Sequence, residues 1–570
     1  MKQTRWVERA EISLDSVAAL LRRLPLKPLT ARVLLARQRA DDRAEDFLQA
    51  RLVSMPDPMT LAGMGAAVDR LSFAIRKGEK ISIHGDYDVD GISATALMVD
   101  VLRHLGADVD YHIPLRMRDG YGLSAEALRR CAATGTRVVV SVDCGISAHD
   151  EAELARQLGL DLIVTDHHQV PEELPAGFAL INPHLPDCRF PDKNLCGVGV
   201  AFMVLIALRR TLREQGWFAQ RPEPDLKNWL DLVALGTIAD LVPLTGINRP
   251  LVRYGLELME RTPRPGIRAL REVAGVRTVS TGTVGFQLAP RLNAAGRLED
   301  AGAGVQLLLA RDDNQALPLA RMLDDWNQQR RLIEGQTFEE AVAMVKELPE
   351  SCSLVLASER WHQGVIGIVA SRLVERYARP TLMIALDGES GKGSGRSVRG
   401  FHLYEGLKRC AQHLTGFGGH EFAAGFSLAR DRIDSLREAF EQTARSVLSP
   451  DDLVPQRPYD AVAELGEFDE QQVRELESLA PFGMGNPEPV FLVENVTLGR
   501  VEQVGGGRHL RCLVRQDGTC LPAIGFNMAA DSELARAPVD LLFTPGFNRW
   551  NGRETLQLRL RDMRPSGDRG

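Results

Sequence analysis

Between residue 80 and about residue 240, short apolar runs of β type alternate with stretches whose apolar residues recur at helical spacing. This alternation predicts a mainly parallel sheet with helices on both of its faces. An amphipathic helix with a glycine stop is predicted over residues 59–77, just before the first strand. The strand candidates are residues 80–85, 109–113, 137–142, 162–165 and 179–181.

A second α/β unit follows a long polar helical pattern over residues 310–347, whose simplest interpretation is a helix that joins two domains. Residues 354–357 and 381–386 predict strands of that unit. After a linker rich in Pro and Asp at residues 450–458, short strand patterns separated by turns predict a small β-barrel.

The fold class predicted from these patterns is multidomain α/β. A length of 570 residues agrees with several domains, because single hydrophobic cores rarely grow beyond about 250–300 residues. The predicted parts are an N-terminal helical extension at 1–45, a parallel α/β domain at 46–309, a connecting helix at 310–347, a second α/β domain at 348–450 and a C-terminal β-barrel at 455–563.

Composition narrows the class of protein. No apolar run approaches the roughly 20 residues that a membrane-spanning helix needs, and Met1–Trp6 is not followed by the apolar segment of a secretory signal. The eight cysteines are scattered without a C-x-x-C pair, which favours a reducing, cytoplasmic location and argues against a zinc ribbon. The net charge of −7 means that any nucleic-acid binding must come from local basic grooves.

Candidate metal ligands follow three of the predicted strands and one helical stretch. The carboxyl ends of parallel strands meet at one edge of a sheet, so these side chains are expected to converge. Crowded carboxylates repel one another and call for a positive partner, and oxygen ligands with few nitrogens suit Mg²⁺ or Mn²⁺. The first group alone could be an acidic, solvated turn with a helix cap, but four groups favour a metal site. The candidates are His84, Asp86, Asp88, Asp90, Asp143, Asp166, His167, His168 and Asp240.

The order and spacing of these residues resemble the DHH phosphoesterase superfamily, in which two divalent ions, Mg²⁺ or Mn²⁺, share a bridging carboxylate. The resemblance implies that His168 faces the scissile phosphate and that Asp166 orients its neighbours, so that both act in catalysis with Asp143. Asp86 would be a helix cap or a partner behind the ligands. The implied ligand sets are His84, Asp88 and Asp143 for one ion, and Asp90, Asp143, His167 and Asp240 for the other.

Two later segments carry further resemblances. Residues 289–298, Ala-Pro-Arg-Leu-Asn-Ala-Ala-Gly-Arg-Leu, are similar to a signature of the RecJ branch, where it lines the path of the nucleic acid, although composition alone fits an ordinary loop equally well. Glycines at 391–397 and 416–420 would let backbone N–H groups approach a phosphate, although a flexible hairpin would explain those at 391–397 nearly as well. Both clusters together resemble the DHHA1 substrate domain. The implied substrate-binding residues are Arg291, Asn293, Arg297, His362, Arg372, Ser394, Arg396 and His420.

The predicted barrel has a local charge reversal. Residues 500–564 contain ten arginines, seven acidic residues and no lysine, a net charge of +3. Arginines together with Phe526, Phe547 and Trp550 suit an OB-fold that binds single strands by charge and stacking. The alternative is a charged barrel surface over core aromatics.

The resemblance to the RecJ branch covers residues of about 45 to 563 and implies a 5′→3′ exonuclease. It would degrade single-stranded DNA from a 5′ end to mononucleotides by two-metal hydrolysis, in recombination and repair. A single-strand-binding protein and a RecQ-type helicase are the expected protein partners. Two alternatives are a non-catalytic single-strand-binding relative, which would lose ligands, and an enzyme for short oligonucleotides or pyrophosphate, which generally lacks the barrel.

Overall fold

The computed structural model describes residues 4–40, 44–114, 122–298, 301–348, 350–550 and 552–567. The chain divides into two compact units. Of the described residues, the small unit comprises those within 4–7 and 326–458, and the large unit comprises those within 8–325 and 459–567. None of the described helices combines the length and apolar character that crossing a bilayer requires.

The N-terminal segment is mostly helical, as its Leu- and Arg-rich pattern predicts. Ser13 caps the first of these helices by accepting a hydrogen bond from the backbone N–H of Ser16 at 3.2 Å. The elements are β1 (Arg5–Glu8), α1 (Leu14–Arg23), α2 (Pro28–Ala36) and α3 (Ala44–Gln49).

The first α/β domain contains a five-stranded parallel sheet in the order β3-β2-β4-β5-β6. All five predicted strands are present, with bounds that differ by one residue at most. The strand order reverses between β2 and β4, which is the switch point where open α/β sheets bind ligands. The elements are α4 (Met64–Lys77), β2 (Lys80–Gly85), α5 (Val89–His104), β3 (Val109–His112), α6 (Ala125–Ala133), β4 (Thr136–Val142), α7 (His149–Gln157), β5 (Asp161–Thr165), β6 (Ala179–Ile181) and α8 (Gly197–Glu214).

Helices complete this domain and lead into the connector. The segment at 289–298 is a helix and not a loop, and a π-helical turn at Val284–Leu288 precedes it. The long polar pattern forms one helix, as predicted. The elements are α9 (Leu230–Ala239), α10 (Asn248–Glu260), α11 (Pro265–Ala274), α12 (Thr281–Thr283), α13 (Ala289–Leu298), α14 (Gly302–Leu308) and α15 (Asp313–Glu347).

The small unit contains a mixed sheet in the order β10-β11-β9-β8-β7, in which only β7 and β8 pair in parallel. Its core includes Phe401, Leu403 and Phe440. The elements are β7 (Leu354–Ser358), α16 (Ile366–Tyr377), β8 (Thr381–Asp387), β9 (Ser390–Arg396), α17 (Leu403–Arg409), β10 (Gly416–Gly419), β11 (Ala423–Ala429) and α18 (Ile433–Val447).

The glycines at 391–397 belong to strand β9, which corrects the interpretation of this segment as a phosphate-binding loop. Strand β9 pairs with β8 on one side and β11 on the other, so its backbone N–H groups are engaged in the sheet. The glycines are needed for packing instead: a Cβ at Gly393 would lie 2.1 Å from the Phe426 ring, and one at Gly395 would lie 2.7 Å from the Leu382 side chain. Any contact that β9 makes with a ligand must therefore use its side chains and not its backbone N–H groups.

The C-terminal domain is the predicted barrel. Strands β14, β15, β16, β18 and β17 pair in sequence, and β17 returns to pair with β14, which closes a five-stranded barrel. A cis peptide bond joins Ala480 to Pro481 before the first barrel strand. The elements are β12 (Gln456–Tyr459), β13 (Ala461–Val462), α19 (Glu470–Glu477), β14 (Phe491–Val504), β15 (His509–Gln516), β16 (Thr519–Gly525), β17 (Val539–Trp550) and β18 (Arg553–Pro565).

The N-terminal helices share the hydrophobic core of this barrel. Leu29 and Leu34 of α2 belong to the same buried cluster as Phe491 and Phe543 of the barrel strands. The contact includes a buried ion pair, because the fully buried Asp460 accepts hydrogen bonds at 2.8 and 2.9 Å from the Arg37 guanidinium. Helices α1 and α2 of the predicted extension are therefore packed into a domain that lies more than 400 residues later in the chain.

Arg249 ties the first α/β domain to both of these regions within the large unit. Its Nε donates to the carbonyl of Phe47 at 2.6 Å, and its Nη1 donates to the carbonyl of Leu479 at 2.8 Å. The guanidinium carbon also lies 3.9 Å from the centre of the Phe47 ring. These contacts join α10 to α3 and to the segment before the first barrel strand within the large unit.

Candidate metal centre

The loop after β2 places two carboxylates at the start of α5. Asp88 is the N-cap, and its side chain accepts hydrogen bonds from the backbone N–H groups of Asp90 and Gly91 at 2.9 and 3.1 Å. The carboxylate of Asp90 accepts from the backbone N–H groups of Gly197 and Val198, at 2.6 and 2.9 Å. Those groups begin α8, so Asp90 is held between the N-termini of two helices, where negative charge is stabilised.

Asp143 follows strand β4 directly, beside the switch point. Its φ of +63° is left-handed, a conformation that Asp tolerates better than most residues. Its backbone N–H donates to the carbonyl of Thr165 at 3.0 Å, which fixes the turn against the neighbouring strand. A Cβ at Gly197 would lie 2.5 Å from the Cβ of Asp143, so only glycine lets α8 begin this close to the carboxylate.

His167 joins the carboxylates of three elements. Its Nε2 lies 3.1 Å from Oδ1 of Asp143, 3.7 Å from Oδ2 of Asp240 and 4.0 Å from Oδ2 of Asp90. Asp240 is the C-cap residue of α9 and is the most exposed of the three carboxylates. Residues separated by 150 positions in sequence therefore meet at one sheet edge, as the topology predicts.

Asp166 orients the following two histidines. Its Oδ1 accepts hydrogen bonds from the backbone N–H groups of His167 and His168 at 2.7 and 3.1 Å, and lies 2.7 Å from Nδ1 of His168. Its Oδ2 accepts from the backbone N–H of Ile146 at 2.9 Å. The carboxylate is thereby occupied and buried, and it leaves Nε2 as the ring nitrogen of His168 that can face a substrate.

Among the residues that the structure describes, three groups of potential ligands lie at this edge, each with its donor atoms within 4.8 Å of one another. Asp143 belongs to two groups and His167 to two, so the groups are linked through this pair. Carboxylate oxygens with an imidazole fit Mg²⁺ or Mn²⁺. The groups are Asp86, Asp88 and Asp143; Asp90, His167 and Asp240; and Asp143, His167 and His168.

His84 does not belong to any of these groups within the described residues, and Asp86 stands where the sequence interpretation placed His84. His84 lies inside β2, so its side chain stands across the sheet and not at its edge. Its Nε2 is 3.4 Å from Sγ of Cys131, and its ring centre is 5.4 Å from that of His112. Burial, and then the charge of His112, lowers the pKa of His84 to about 3. Asp86 is the first residue beyond the strand.

The electrostatics of the edge favour a bound cation. Burial, and then repulsion from Asp88, raises the pKa of Asp90 to about 7. Burial, and then repulsion from Asp90, raises the pKa of Asp240 to about 9 and that of Asp143 well above its ordinary value. Burial opposes protonation of His168, but the hydrogen bond and charge of Asp166 raise its pKa to about 9. Each raised carboxyl pKa reports a charge that a divalent ion would stabilise.

Helix α13 supports the loop that carries Asp88. Asn293 accepts a hydrogen bond from the backbone N–H of Val89 at 3.2 Å, and a Cβ at Gly296 would lie 2.7 Å from the carbonyl oxygen of Tyr87. Both contacts were missed by the sequence interpretation, which assigned Asn293 to the substrate. The spacing of Asn293 and Gly296 on one helix face was the available signal.

Of the two arginines in the segment at 289–298, the structure describes the side chain of Arg291 and not that of Arg297. Arg291 is largely buried, and its Nε lies 2.9 Å from Oδ1 of Asp324 on α15. Its guanidinium is therefore committed to an ion pair between helices. The side chain of Arg297 lies outside the described residues.

In the small unit, β9 places Ser394 beside Arg396, with Nη1 of Arg396 donating to Oγ of Ser394 at 3.2 Å. His420 is exposed at the turn between β10 and β11. His362 accepts a hydrogen bond from the backbone N–H of Gly364 at 3.0 Å. Of these residues His420 is exposed, whereas Ser394, Arg396 and His362 are partly buried.

Arg372 is differently placed from the other predicted substrate residues of the small unit. Its Nη1 lies 3.0 Å from Oε1 of Glu334, and its guanidinium carbon lies 3.8 Å from the centre of the Phe338 ring. Both contacts are to α15. Arg372 therefore holds α16 against the connecting helix.

The arginines of the barrel are largely paired with acidic residues, two of which precede the 500–564 window. The local charge excess is therefore smaller than the sequence count suggests. Phe547 lies under Arg474 at 4.5 Å, Phe526 is exposed, and the side chain of Trp550 lies outside the described residues. The pairs are Arg511 with Glu502, Arg549 with Glu477 and Glu554, Arg559 and Arg561 with Glu488, and Arg564 with Asp540.

Comparisons with known proteins agree with this geometry. The DHH family N-terminal domain model matches residues 80–237, the DHHA1 domain model matches residues 350–446, and the RecJ OB domain model matches residues 459–562. The single-stranded-DNA-specific exonuclease RecJ of Escherichia coli is 39% identical over 585 residues, which cover 99% of this chain and 100% of that protein. The chain belongs to the RecJ family. The RecJ of Dickeya dadantii is 40% identical over 573 residues, 97% of each chain.

A solved RecJ structure shares the fold. RecJ from Thermus thermophilus in complex with Mn²⁺ matches with a TM-score of 0.84 and 32% identity, over 98% of this chain and 79% of that chain. The predicted fold, with DHH, DHHA1 and OB domains, is confirmed by these matches and by the closed barrel.

The exchange of Asp86 for His84 in the ligand groups can be tested in this RecJ-family protein. Asp86→Asn should weaken Mn²⁺ binding by at least roughly 10–100-fold. That is the usual effect of replacing a residue that only supports a ligand, and Asp86→Asn removes a charged oxygen from the ligand group itself. His84→Gln should leave the affinity and stoichiometry unchanged. Isothermal titration with Mn²⁺ measures both, and a large loss in His84→Gln with none in Asp86→Asn would restore the original ligand set.

The raised carboxyl pKa values predict a pH dependence of stability. Without metal, the folded protein holds protons on Asp90 and Asp240 up to pH values of about 7 and about 9, whereas the unfolded chain has released them above about pH 4. The stability of the metal-free protein should therefore fall as pH rises from about 4 to about 9. Saturating Mn²⁺ binds the ionised carboxylates, so the rise in Tm that it causes should grow with pH.

Thermal unfolding in EDTA and in Mn²⁺, at equal ionic strength and at several pH values from 5 to 8, measures this effect. The metal-induced rise in Tm should reach several degrees at pH 8, the highest pH of the series. A rise that is constant or shrinks with increasing pH would contradict the electrostatic account of the site.

Proposed function

We propose that this chain is a single-stranded-DNA-specific exonuclease that releases 5′-mononucleotides in the 5′→3′ direction, with two Mg²⁺ or Mn²⁺ ions as cofactors. The observation that carries the proposal is the linkage of the three ligand groups through Asp143 and His167 in a chain of the RecJ family. RecJ of Thermus thermophilus has been solved with Mn²⁺ and with Mg²⁺. A role in DNA recombination and repair accompanies this activity.

The residues that would hold the ions follow from the groups. Asp86 and Asp88 would hold one ion, and Asp90, His167 and Asp240 the other. Asp143 would be shared, because it belongs to the first group and its Oδ1 lies 3.1 Å from Nε2 of His167 in the second. Bound at such a site, two ions activate a water and stabilise charge on the leaving oxygen. The chain supplies the fixed positions: helix N-termini hold Asp90, and the left-handed turn after β4 presents Asp143.

His168 is proposed to face the scissile phosphate. Its Nδ1 is engaged by Asp166, which keeps the ring fixed and favours its protonated form. The remaining Nε2–H can then donate a charge-assisted hydrogen bond to a phosphate oxygen. Asp166 acts through His168 and not on the substrate, because both of its oxygens accept hydrogen bonds from the protein.

The 5′ end of the strand is proposed to bind at the small unit. Arg396 is mostly buried, and no carboxylate pairs with it in the described part of the chain. A guanidinium without an acidic partner suits a phosphate, which it can bind through two parallel hydrogen bonds. Ser394 and the exposed His420 offer further polar atoms on the same unit. His362 would contribute beside them.

The barrel is proposed to hold the strand by stacking more than by net charge, because glutamates neutralise much of its arginine surface. A cytoplasmic location is proposed from the eight unpaired cysteines. A single-strand-binding protein and a RecQ-type helicase stay predictions as protein partners. A non-catalytic role is disfavoured because the carboxylates and His167 are all present, and a small-substrate role because the barrel is present.

Replacing Asp143 and replacing His168 should affect Mn²⁺ binding differently, although both replacements reduce hydrolysis. Asp143→Ala should abolish hydrolysis and bind fewer than two Mn²⁺ ions, because the shared ligand is lost. His168→Ala should lose turnover by about 10²–10⁴-fold and keep its Mn²⁺ stoichiometry, because it acts on the substrate. Asp150→Ala, an exposed aspartate on α7, is the matched control and should resemble the unchanged protein.

The assay follows release of mononucleotides from strands labelled at either end, with Mn²⁺ binding measured by titration. A well-folded Asp143→Ala variant with near-normal activity would refute the shared-ligand assignment. Shortening that begins at the 3′ end would refute the proposed direction.

Arg396→Ala should raise KM for a 5′-phosphorylated strand on the order of tenfold and leave KM for a 5′-hydroxyl strand nearly unchanged. The reason is that only the terminal phosphate offers the doubly charged partner. Arg399→Ala, an exposed arginine three residues later, is the control. Equal effects of Arg396→Ala on the two strands would count against end recognition at this residue.

A further inference from the structure

An exposed aromatic side chain stands on an uncommon backbone turn in the large unit. Phe286 is 87% exposed, although the neighbouring Val284 and Leu288 on the same π-helical turn are buried. π-helical turns are rare and occur frequently at functional sites. This turn therefore presents a large apolar ring to solvent while its other side is anchored in the core.

The turn lies beside the end of α9, which carries Asp240. A Cβ at Gly285 would be 3.7 Å from Cγ2 of Ile238, two residues before Asp240. The helix that follows the turn, α13, contacts the loop of Asp88 through Asn293. The turn therefore contacts the helix that ends at Asp240, and α13 contacts the start of α5 beside Asp88.

A second apolar side chain is exposed at the same end of α9. Leu241 follows Asp240 directly, has a left-handed φ of +61° and is 65% exposed. Left-handed backbone is uncommon for a residue such as leucine. Leu241 therefore follows one proposed ligand directly, and Phe286 follows Gly285, which packs against α9 at Ile238, two residues before that ligand.

We propose that Phe286 stacks on the base of a nucleotide whose phosphate lies at the metal centre, with Leu241 covering the edge of that base. The inference rests on the proposed function. An unpaired base of any sequence offers a π-face to an aromatic ring, whereas a base inside a duplex is already stacked on both faces. The Phe286 platform therefore selects unpaired nucleotides without reading their sequence.

The test is a cycle that combines a protein change with a substrate change. Phe286→Ala should raise KM for single-stranded DNA on the order of tenfold, with a smaller change in kcat, and Phe286→Trp should restore KM. An abasic nucleotide placed at successive positions from the 5′ end should raise KM at one position in the unchanged protein. At that same position, the abasic nucleotide should not raise the KM of Phe286→Ala any further. The reason is that the base and the Phe286 ring make one interaction, which either change removes.

Phe73→Ala is the matched control, since Phe73 is a half-exposed ring on α4 of the same unit. Its KM should be that of the unchanged protein at every abasic position. The inference is overturned if Phe286→Ala has an unchanged KM, if its effect adds fully to the abasic effect at every position, or if the variant loses affinity for Mn²⁺. If the unchanged protein degrades no single-stranded DNA, the proposed function fails as well, which separates the two outcomes.

Discussion

Repulsion among carboxylates at the end of the parallel sheet is the constraint on which the site depends. Asp90, Asp143 and Asp240 are gathered around His167, and burial prevents water from screening their charges. The fold holds them there with fixed dipoles and caps: the start of α8 binds Asp90, and Asp88 caps α5. Among the described residues, the raised carboxyl pKa values of Asp90 and Asp240 indicate too little positive charge around these carboxylates. Two divalent ions would supply that charge.

Rigidity around this edge comes from parts of the chain that carry no chemistry of their own. Helix α13 braces the loop of Asp88 through Asn293. Arg249 joins the same domain to the N-terminal helices and to the barrel, while Arg37 and Asp460 lock those two together. A metal centre made of mutually repelling carboxylates needs such a rigid framework, because flexibility of the backbone would let the carboxylates move apart before a cation binds.

Much of the fold could be predicted from the sequence because it depends on local periodicity. The strands of the first sheet are short apolar runs with helices between them, and their ends carry the polar residues that the topology brings together. The choice between His84 and Asp86 depends instead on where β2 ends. A residue inside the strand points across the sheet, and the next one beyond Gly85 can point along the edge. Spacing alone does not distinguish these directions.

The role of the β9 glycines and the partner of the N-terminal helices could not be predicted from local patterns, because both depend on contacts between distant segments. The glycines of β9 resemble those of a loop, but they are required by side chains such as Phe426 that approach from a distant strand. The partner of the N-terminal helices is a barrel more than 400 residues away, and the glutamates that neutralise its arginines precede the basic segment. Contacts between distant segments leave no periodic trace in either one.

The central claim is that two cations share Asp143 at the switch point between β2 and β4. Anomalous diffraction from crystals grown with Mn²⁺, recorded at the manganese edge, tests it most directly. Two peaks about 3.5–4 Å apart are expected, with a carboxylate oxygen of Asp143 on each. A single peak, or two peaks that have no ligand in common, would contradict it.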